Sequence, residues 1–135
     1  MLDAWIVPEK TVITAKGDSQ ALDISPTVNR VFLLTLSIAS IAEQESIEVA
    51  VFTSPDGTSW ESKPAASLSQ KFYVGEYPLL VDLIAKPEAK FVRAHWEISR
   101  WGRGATTPQF EIGLRVREVP QEALREAQAE AQARR

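Results

Sequence analysis

The sequence predicts an all-β fold: a single-domain antiparallel β-sandwich or jelly roll of about eight short strands. Apolar and polar side chains alternate along many short segments, as they do in half-buried strands. Turn-forming residues separate these segments at intervals of about 8 to 12 residues. A chain of 135 residues is long enough to bury one core and too short for two.

The alternation is clearest between Lys90 and Glu118, where two arms flank the turn-rich link GRGATTP. One face of each arm is apolar, with Val92, Ala94, Trp96 and Ile98 in the first and Phe110, Ile112, Leu114 and Val116 in the second. A period of two on both sides of such a link is typical of a β-hairpin. We therefore predict that the two arms pair and form the sheet face on which the rest of the chain packs.

The N-terminal third predicts three extended segments. Residues 1–9 predict an extended arm or an edge strand that is stopped by Pro8. The β-branched, alternating stretch from Lys10 to Ala15 predicts a strand, followed by a turn at residues 16–18. A short strand from Gln20 to Ile24 ends at Ser25-Pro26.

The middle of the chain holds the most apolar segment, Arg30 to Ile41. Its period alone would also fit a buried helix, but the flanking turn residues and β-branched neighbours favour a central strand. Ser46 to Thr53 alternates cleanly and predicts the next strand. Ser54-Pro55-Asp56-Gly57 predicts a type I turn, after which residues 58–60 begin a returning strand.

Two further strands are predicted before Lys90. Residues 64–67 predict a loop, and Gln70 to Val74 a short strand. Gly75 to Pro78 then predicts a turn, and Leu79 to Ala85 a strand that ends at Lys86-Pro87.

The composition changes at Pro120, so we divide the chain into a β-sandwich domain, residues 1–119, and an alanine-, glutamate- and arginine-rich tail, residues 120–135. Strong helix formers follow the proline, but Leu124 is the only large apolar residue among them. The segment is therefore either a frayed, solvated tail or a helix that packs on a neighbouring subunit through its alanine face.

Composition excludes several classes of function. A net charge of -3 and a pI near 5.2 argue against nucleic-acid binding, which needs a clustered basic surface. The absence of cysteine excludes disulfides and cysteine-ligated metals. The N-terminus lacks the pattern of a signal peptide, and no apolar run could span a bilayer. We expect a location in the cytoplasm or in an assembled particle, without membrane insertion.

The sequence offers no set of catalytic residues. His95 is the only histidine, no GxSxG motif accompanies it, and it lies between Arg93 and Glu97 on the polar face of its strand. We interpret it as a surface or interface residue. The aspartates are scattered singly, and Gly102-Arg103-Gly104 joins two strands instead of opening a helix, so we predict no metal site, no phosphate site and no cofactor.

Tryptophans are the more informative residues. Trp96 falls in the apolar set of its strand and is expected in the core. The others lie near loops or termini, where they either pack at the ends of the sandwich, stack on sugars or anchor protein interfaces. The interface candidates are Trp5, Trp60, Arg93, His95, Trp101, Arg103 and Leu124.

Three segments together resemble a known group of proteins: SPDGTSW at 54–60, FVRAHWEI at 91–98 and TTPQFEIGLRV at 106–116. They are similar to a loose family of small β-sandwich proteins from tailed-phage structural modules and related uncharacterised bacterial proteins. The resemblance covers about residues 30–117. It implies a non-enzymatic structural or decorating role, and it carries over no catalytic residue.

We therefore predict a non-enzymatic, homo-oligomeric structural module that self-associates or decorates a larger assembly, virion-like or of another kind, with protein as its partner. The alternative is a carbohydrate-binding module that uses exposed tryptophans, with a glycan as its partner. An enzyme ranks third, because the sequence lacks an acid, base and nucleophile set.

Overall fold

The computed structural model describes residues 1–41, 45–100 and 109–120, and in the tail Glu122, Ala123, Arg125, Glu126 and Ala129, all five in helical conformation. The described residues form nine β-strands: β1 Asp3–Ile13, β2 Gly17–Asp18, β3 Leu22–Asp23, β4 Val31–Ile41, β5 Glu45–Ser54, β6 Ala66–Lys71, β7 Gly75–Asp82, β8 Phe91–Arg100 and β9 Phe110–Glu118. The predicted all-β fold class is confirmed.

The strands form two antiparallel sheets with the connectivity of a jelly roll. Sheet A has the order β1-β9-β4-β7; sheet B has the order β2-β8-β5-β6, and β3 also pairs with β8. The pairings are nested: β5 with β6, β4 with β7, β2 and β3 with β8, and β1 with β9. This is the pattern of one long hairpin rolled up into two facing sheets.

The predicted hairpin between the two arms of residues 90–118 is wrong. The first arm is β8 and pairs in sheet B with β5, while the second is β9 and pairs in sheet A with β1 and β4. The alternation correctly identified which side chains point inward, because both apolar sets face the core. It could not identify the partner strand, because a period of two specifies a face and not a neighbour.

The core lies between the sheets. Its largest fully buried side chains include Phe32 and Leu36 from sheet A and Ile47 from sheet B. Trp96 is buried as predicted, and its indole Nε1 donates a hydrogen bond of 3.0 Å to the carbonyl of Ala15. This bond satisfies the one polar group that the indole brings into the interior.

Several predicted boundaries also need correction. β1 does not stop at Pro8 but continues to Ile13 through an irregularity in which Lys10 has a φ of 59°. Residues 58–60 lie outside any strand. The predicted loop at 64–67 overlaps β6, and the predicted turn at Gly75–Pro78 is the start of β7. Proline is compatible with β7 because this strand forms the edge of sheet A.

Features that interrupt further strand pairing protect the free sheet edges. The Leu83 N–H donates to the Arg30 carbonyl, so Leu83 and every second residue before it direct their backbone groups toward β4. Pro78 belongs to the other set, whose backbone groups point away from β4. Proline has no N–H to offer an incoming strand. β1 carries its irregularity between Val7 and Thr11, β6 has a register shift, and β2 and β3 have two residues each. Such edges resist edge-to-edge aggregation.

The chain bends where the turn at Ser54–Gly57 is predicted, and Ser54 Oγ accepts the Gly57 N–H at 2.8 Å; the type I geometry stays a prediction. The Asp56 carboxylate accepts hydrogen bonds from the backbone N–H groups of Thr58 and Ser59, at 2.9 and 2.8 Å. These bonds, those of Ser59 first, lower the pKa of Asp56 well below its ordinary value. Gly57 has a φ of 83°, a conformation that glycine adopts without a steric penalty.

A buried carboxylate connects three segments at the end of the sandwich where β1 begins and β9 ends. Glu118 is only 7% exposed. Its Oε1 accepts the Leu2 N–H at 3.1 Å, and its Oε2 accepts the N–H and the Nδ2 of Asn29 at 3.0 and 2.6 Å. The N-terminus, the link before β4 and the end of β9 therefore share one acceptor group.

Candidate functional site

The outer surface of sheet B carries a group of charged and aromatic side chains that contact one another. We call it the histidine face and define it by Asp18, Phe52, Trp60, Arg93, His95 and Glu97. Arg93, His95 and Glu97 are alternate residues of β8, so they point to the same side. Asp18 of β2 lies opposite His95 in the strand register, and Phe52 of β5 lies opposite Arg93.

His95 stands at the centre of this face with both ring nitrogens engaged. Its Nδ1 lies 2.8 Å from Asp18 Oδ1, and its Nε2 lies 2.9 Å from Glu97 Oε1. The hydrogen bond to Glu97, and that to Asp18 to a lesser extent, raises the pKa of His95 against the opposing effect of burial. With a carboxylate on each nitrogen, the imidazolium is the favoured form, and neither nitrogen is free to activate a nucleophile as placed.

We expect the pKa of His95, measured by NMR, to lie above its ordinary value of 6.5. The chain has one histidine, so in tag-free protein the ring proton signals need no assignment by mutagenesis. Glu97→Gln and Asp18→Asn should each lower the pKa of His95, because each removes a carboxylate that is hydrogen-bonded to the ring. Since the folded pKa is raised, the stabilisation from these contacts is complete below the unfolded pKa and is lost as the pH rises through the folded value. A titration midpoint below 6.5 would contradict the geometry.

Trp60 and Arg93 form the aromatic end of the histidine face. The guanidinium carbon of Arg93 lies 4.4 Å from the centroid of the Trp60 ring, a cation–π contact. Arg93 Nε lies 3.8 Å from Asp18 Oδ1, an ion pair too long for a hydrogen bond. The Phe52 ring meets the His95 ring edge-on at 6.2 Å. These contacts hold each ring and cation in a defined position.

Two shallow grooves cross this face and share His95 as a common wall. One has a volume of about 270 Å³ and is lined by Asp18, Phe52, Trp60, Glu61, Arg93 and His95. The other has a volume of about 360 Å³ and runs across β5 and β6, lined by Glu48, Val49, Ala50, Ser67, Leu68, Ser69, Gln70, His95 and Glu97. The histidine face is therefore a grooved surface and not a flat one.

Trp5 lies far from this group, on the outer surface of sheet A. Its register partner is Arg115, whose guanidinium carbon is 5.7 Å from the Trp5 ring. Arg115 makes two bonds to the Asp3 carboxylate, Nε to Oδ1 at 2.8 Å and Nη2 to Oδ2 at 2.6 Å. A Cβ on Gly113 would lie 3.0 Å from the indole, so the absent side chain leaves room for Trp5. Among the described residues, each sheet thus carries one tryptophan–arginine–aspartate group.

Exposed apolar side chains form a second candidate site that the sequence analysis missed. Phe72, Tyr73 and Val74, which we call the apolar link, are consecutive between β6 and β7, and all three are exposed. Leu80 and Ile84 are exposed further along. Because the sequence predicts a strand at Gln70–Val74, the link was not recognised as an exposed segment between two strands. A run of three apolar residues before Gly75, without alternation, was the signal that could have revealed it.

The structure brings together three of the predicted interface candidates, Trp60, Arg93 and His95, and it places Trp5 on the opposite sheet. Trp101, Arg103 and Leu124 lie outside the described residues. Their roles, and those of the other candidates, stay predictions.

Within the described ranges, no group of three or more histidine, aspartate or glutamate side chains is arranged to hold a metal ion. The same residues include no helix long and apolar enough to cross a membrane. Comparison with protein-family models and with curated proteins found no match to this chain.

Proposed function

We propose that this protein is a non-enzymatic structural module that associates with itself or decorates a larger protein assembly. The observation that carries the proposal is the apolar link, in which Tyr73 is 75% exposed and Val74 is 59% exposed. Consecutive exposed apolar side chains cost free energy in water and are typical of protein contact sites. The resemblance to tailed-phage structural modules points to the same role.

The chemistry of the histidine face supports a non-enzymatic role. Both nitrogens of His95 already bind carboxylates, and Arg93 is stacked on Trp60. A general base needs a nitrogen within hydrogen-bond reach of the proton that it removes. The described contacts commit these groups to one another instead of leaving them directed at a substrate.

The two edge strands of sheet A limit the ways in which subunits can associate. Pro78 in β7 and the irregularity in β1 make strand addition unfavourable at either edge of sheet A. Contacts through side chains, such as those of the apolar link, avoid this obstacle. We therefore assign the interface to the link and not to a continuous sheet across two subunits.

We test this with the double variant Tyr73→Ser, Val74→Ser, studied by sedimentation velocity over a wide range of concentration. Wild-type protein should sediment faster as its concentration rises, and the variant should need about tenfold or more protein to reach the same state. Val12→Ser is the matched control, since Val12 is exposed on β1 away from the link and 52% accessible.

A second experiment measures co-sedimentation with particles isolated from the source organism. If the protein is a decorating subunit, wild-type protein should co-sediment with those particles and the double variant should not. A wild-type protein that stays monomeric at every concentration and binds none of the particles would contradict the proposed function.

A further inference from the structure

We propose that the two grooves of the histidine face bind a neutral, hydroxyl-rich ligand such as an oligosaccharide, with Trp60 as the stacking platform. This site is separate from the apolar link and goes beyond the proposed structural role. Its parts are the Trp60 ring in the first groove, polar groups in both grooves and the shared wall at His95, where the two grooves meet.

The charges that line the grooves select the class of ligand. Four carboxylates, those of Asp18, Glu48, Glu61 and Glu97, face two cationic groups, Arg93 and His95. Both cations are already paired with carboxylates or stacked on a ring. The remaining charge is negative, which repels phosphates, sulfates and acidic sugars.

The polar lining further restricts the ligand. Ser67 and Ser69 line the second groove with hydroxyl groups, and the carboxylates add acceptors. Gln70 also lines it, but its Nε2 already donates a hydrogen bond to Ser46 Oγ. A purely apolar ligand would leave these groups without water or partners, at a cost in free energy. A neutral ligand with many hydroxyl groups can instead donate to the carboxylates and accept from the serine hydroxyls.

The arrangement is preorganised for such a ligand. Arg93 holds the Trp60 indole from one side, and the two hydrogen bonds of His95 fix the wall between the grooves. Side chains that are ordered before binding lose little rotamer entropy when a ligand arrives. The half-buried indole gives a rigid apolar surface for the carbon–hydrogen face of a sugar ring.

The opposite sheet supplies a matched control. Trp5 is also half-buried, also contacts an arginine and also has an aspartate behind that arginine. Trp5 lines neither of the two grooves of the histidine face. A Trp5→Ala variant therefore loses a comparable aromatic ring without affecting the proposed site.

The test is isothermal titration calorimetry of the wild-type protein with a panel of neutral oligosaccharides: cellopentaose, xylopentaose, mannopentaose and maltopentaose. At least one should bind, Trp60→Ala should weaken that binding by about tenfold or more, and Trp5→Ala should leave it unchanged. Glu48→Gln changes an exposed position in the second groove and should weaken sugar binding less than Trp60→Ala does. This variant tests the site even if the Trp60 variant does not fold.

Three outcomes would overturn the proposal: no sugar of the panel binds, binding survives Trp60→Ala, or penta-arginine binds in a Trp60-dependent manner while no sugar does. The last outcome would identify the face as a contact site for a basic protein segment. Sedimentation velocity on the same samples reports separately on self-association, so failure of the sugar site is distinguishable from failure of the structural role.

Discussion

Replacing Trp96 by alanine is expected to lower the free energy of unfolding by about 3–5 kcal/mol, the range for removing a large buried aromatic side chain. Trp96 is 8% exposed, and its indole fills the space beneath Gly17, where a Cβ would lie 3.1 Å from the ring. The substitution would leave a cavity between β2 and β8 and would free the Ala15 carbonyl that the indole now binds.

The measurement is denaturant unfolding followed by far-UV circular dichroism, because tryptophan fluorescence changes with the substitution itself. Trp96→Phe keeps most of the ring volume and loses the hydrogen bond, so it should cost about 1–2 kcal/mol. Trp5→Ala removes a surface indole and should cost less than Trp96→Ala. Equal losses for Trp5→Ala and Trp96→Ala would show that the assignment of Trp96 to the core is wrong.

Glu118→Gln is expected to lower the free energy of unfolding by about 2–4 kcal/mol at neutral pH, because a buried carboxylate that accepts several hydrogen bonds is replaced by a neutral amide. The amide nitrogen of the new side chain would face donors from Leu2 or Asn29. Two donors then oppose each other in a site with little access to water.

The effect of Glu118→Gln should depend on pH with a definite sign. Burial raises the pKa of Glu118, but hydrogen bonds from Leu2 and Asn29 outweigh burial and leave the pKa below its ordinary value of 4.5. The stabilisation is therefore present above that ordinary value and is lost as the pH falls through the folded value. The gap in stability between wild type and variant should be widest near neutral pH and should shrink in acid.

Denaturation midpoints measured from neutral to acidic pH check this. Glu76→Gln serves as the control, since Glu76 is an exposed carboxylate on the edge strand β7. It should follow the wild-type curve throughout. A gap that stays constant with pH would mean that the ionised carboxylate is not what holds Leu2 and Asn29 in place.

The faces of the strands could be predicted from the sequence, and the strand partners could not. Phe110, Ile112 and Val92 were expected inward and are buried. The hairpin error arose because alternation carries no information about which strand lies alongside, and in a jelly roll consecutive strands usually belong to opposite sheets. Pro78 misled for a related reason: it marks a turn in most contexts and is tolerated in a strand only at an edge.

For the candidate site, too, the face on which a residue lies could be predicted, and its neighbours on other strands could not. Arg93, His95 and Glu97 could be placed on one polar face from their spacing alone. Asp18 and Phe52 reach His95 only through the registers of β2 and β5 with β8, which link residues far apart in the chain. Trp60 was singled out as an aromatic near a loop, but its position over Arg93 depends on the path of the chain after the turn at Asp56.

The nesting of the strands also governs how the protein can be made. β9, the last strand, sits between β1 and β4, and β8, the one before it, sits between β2 and β5. During synthesis on the ribosome, β1 and β4 each lack a neighbouring strand until residues 110–118 emerge. The two sheets can therefore close only after β8 and β9 have emerged, and until then each sheet has an unpaired gap between strands that are already made.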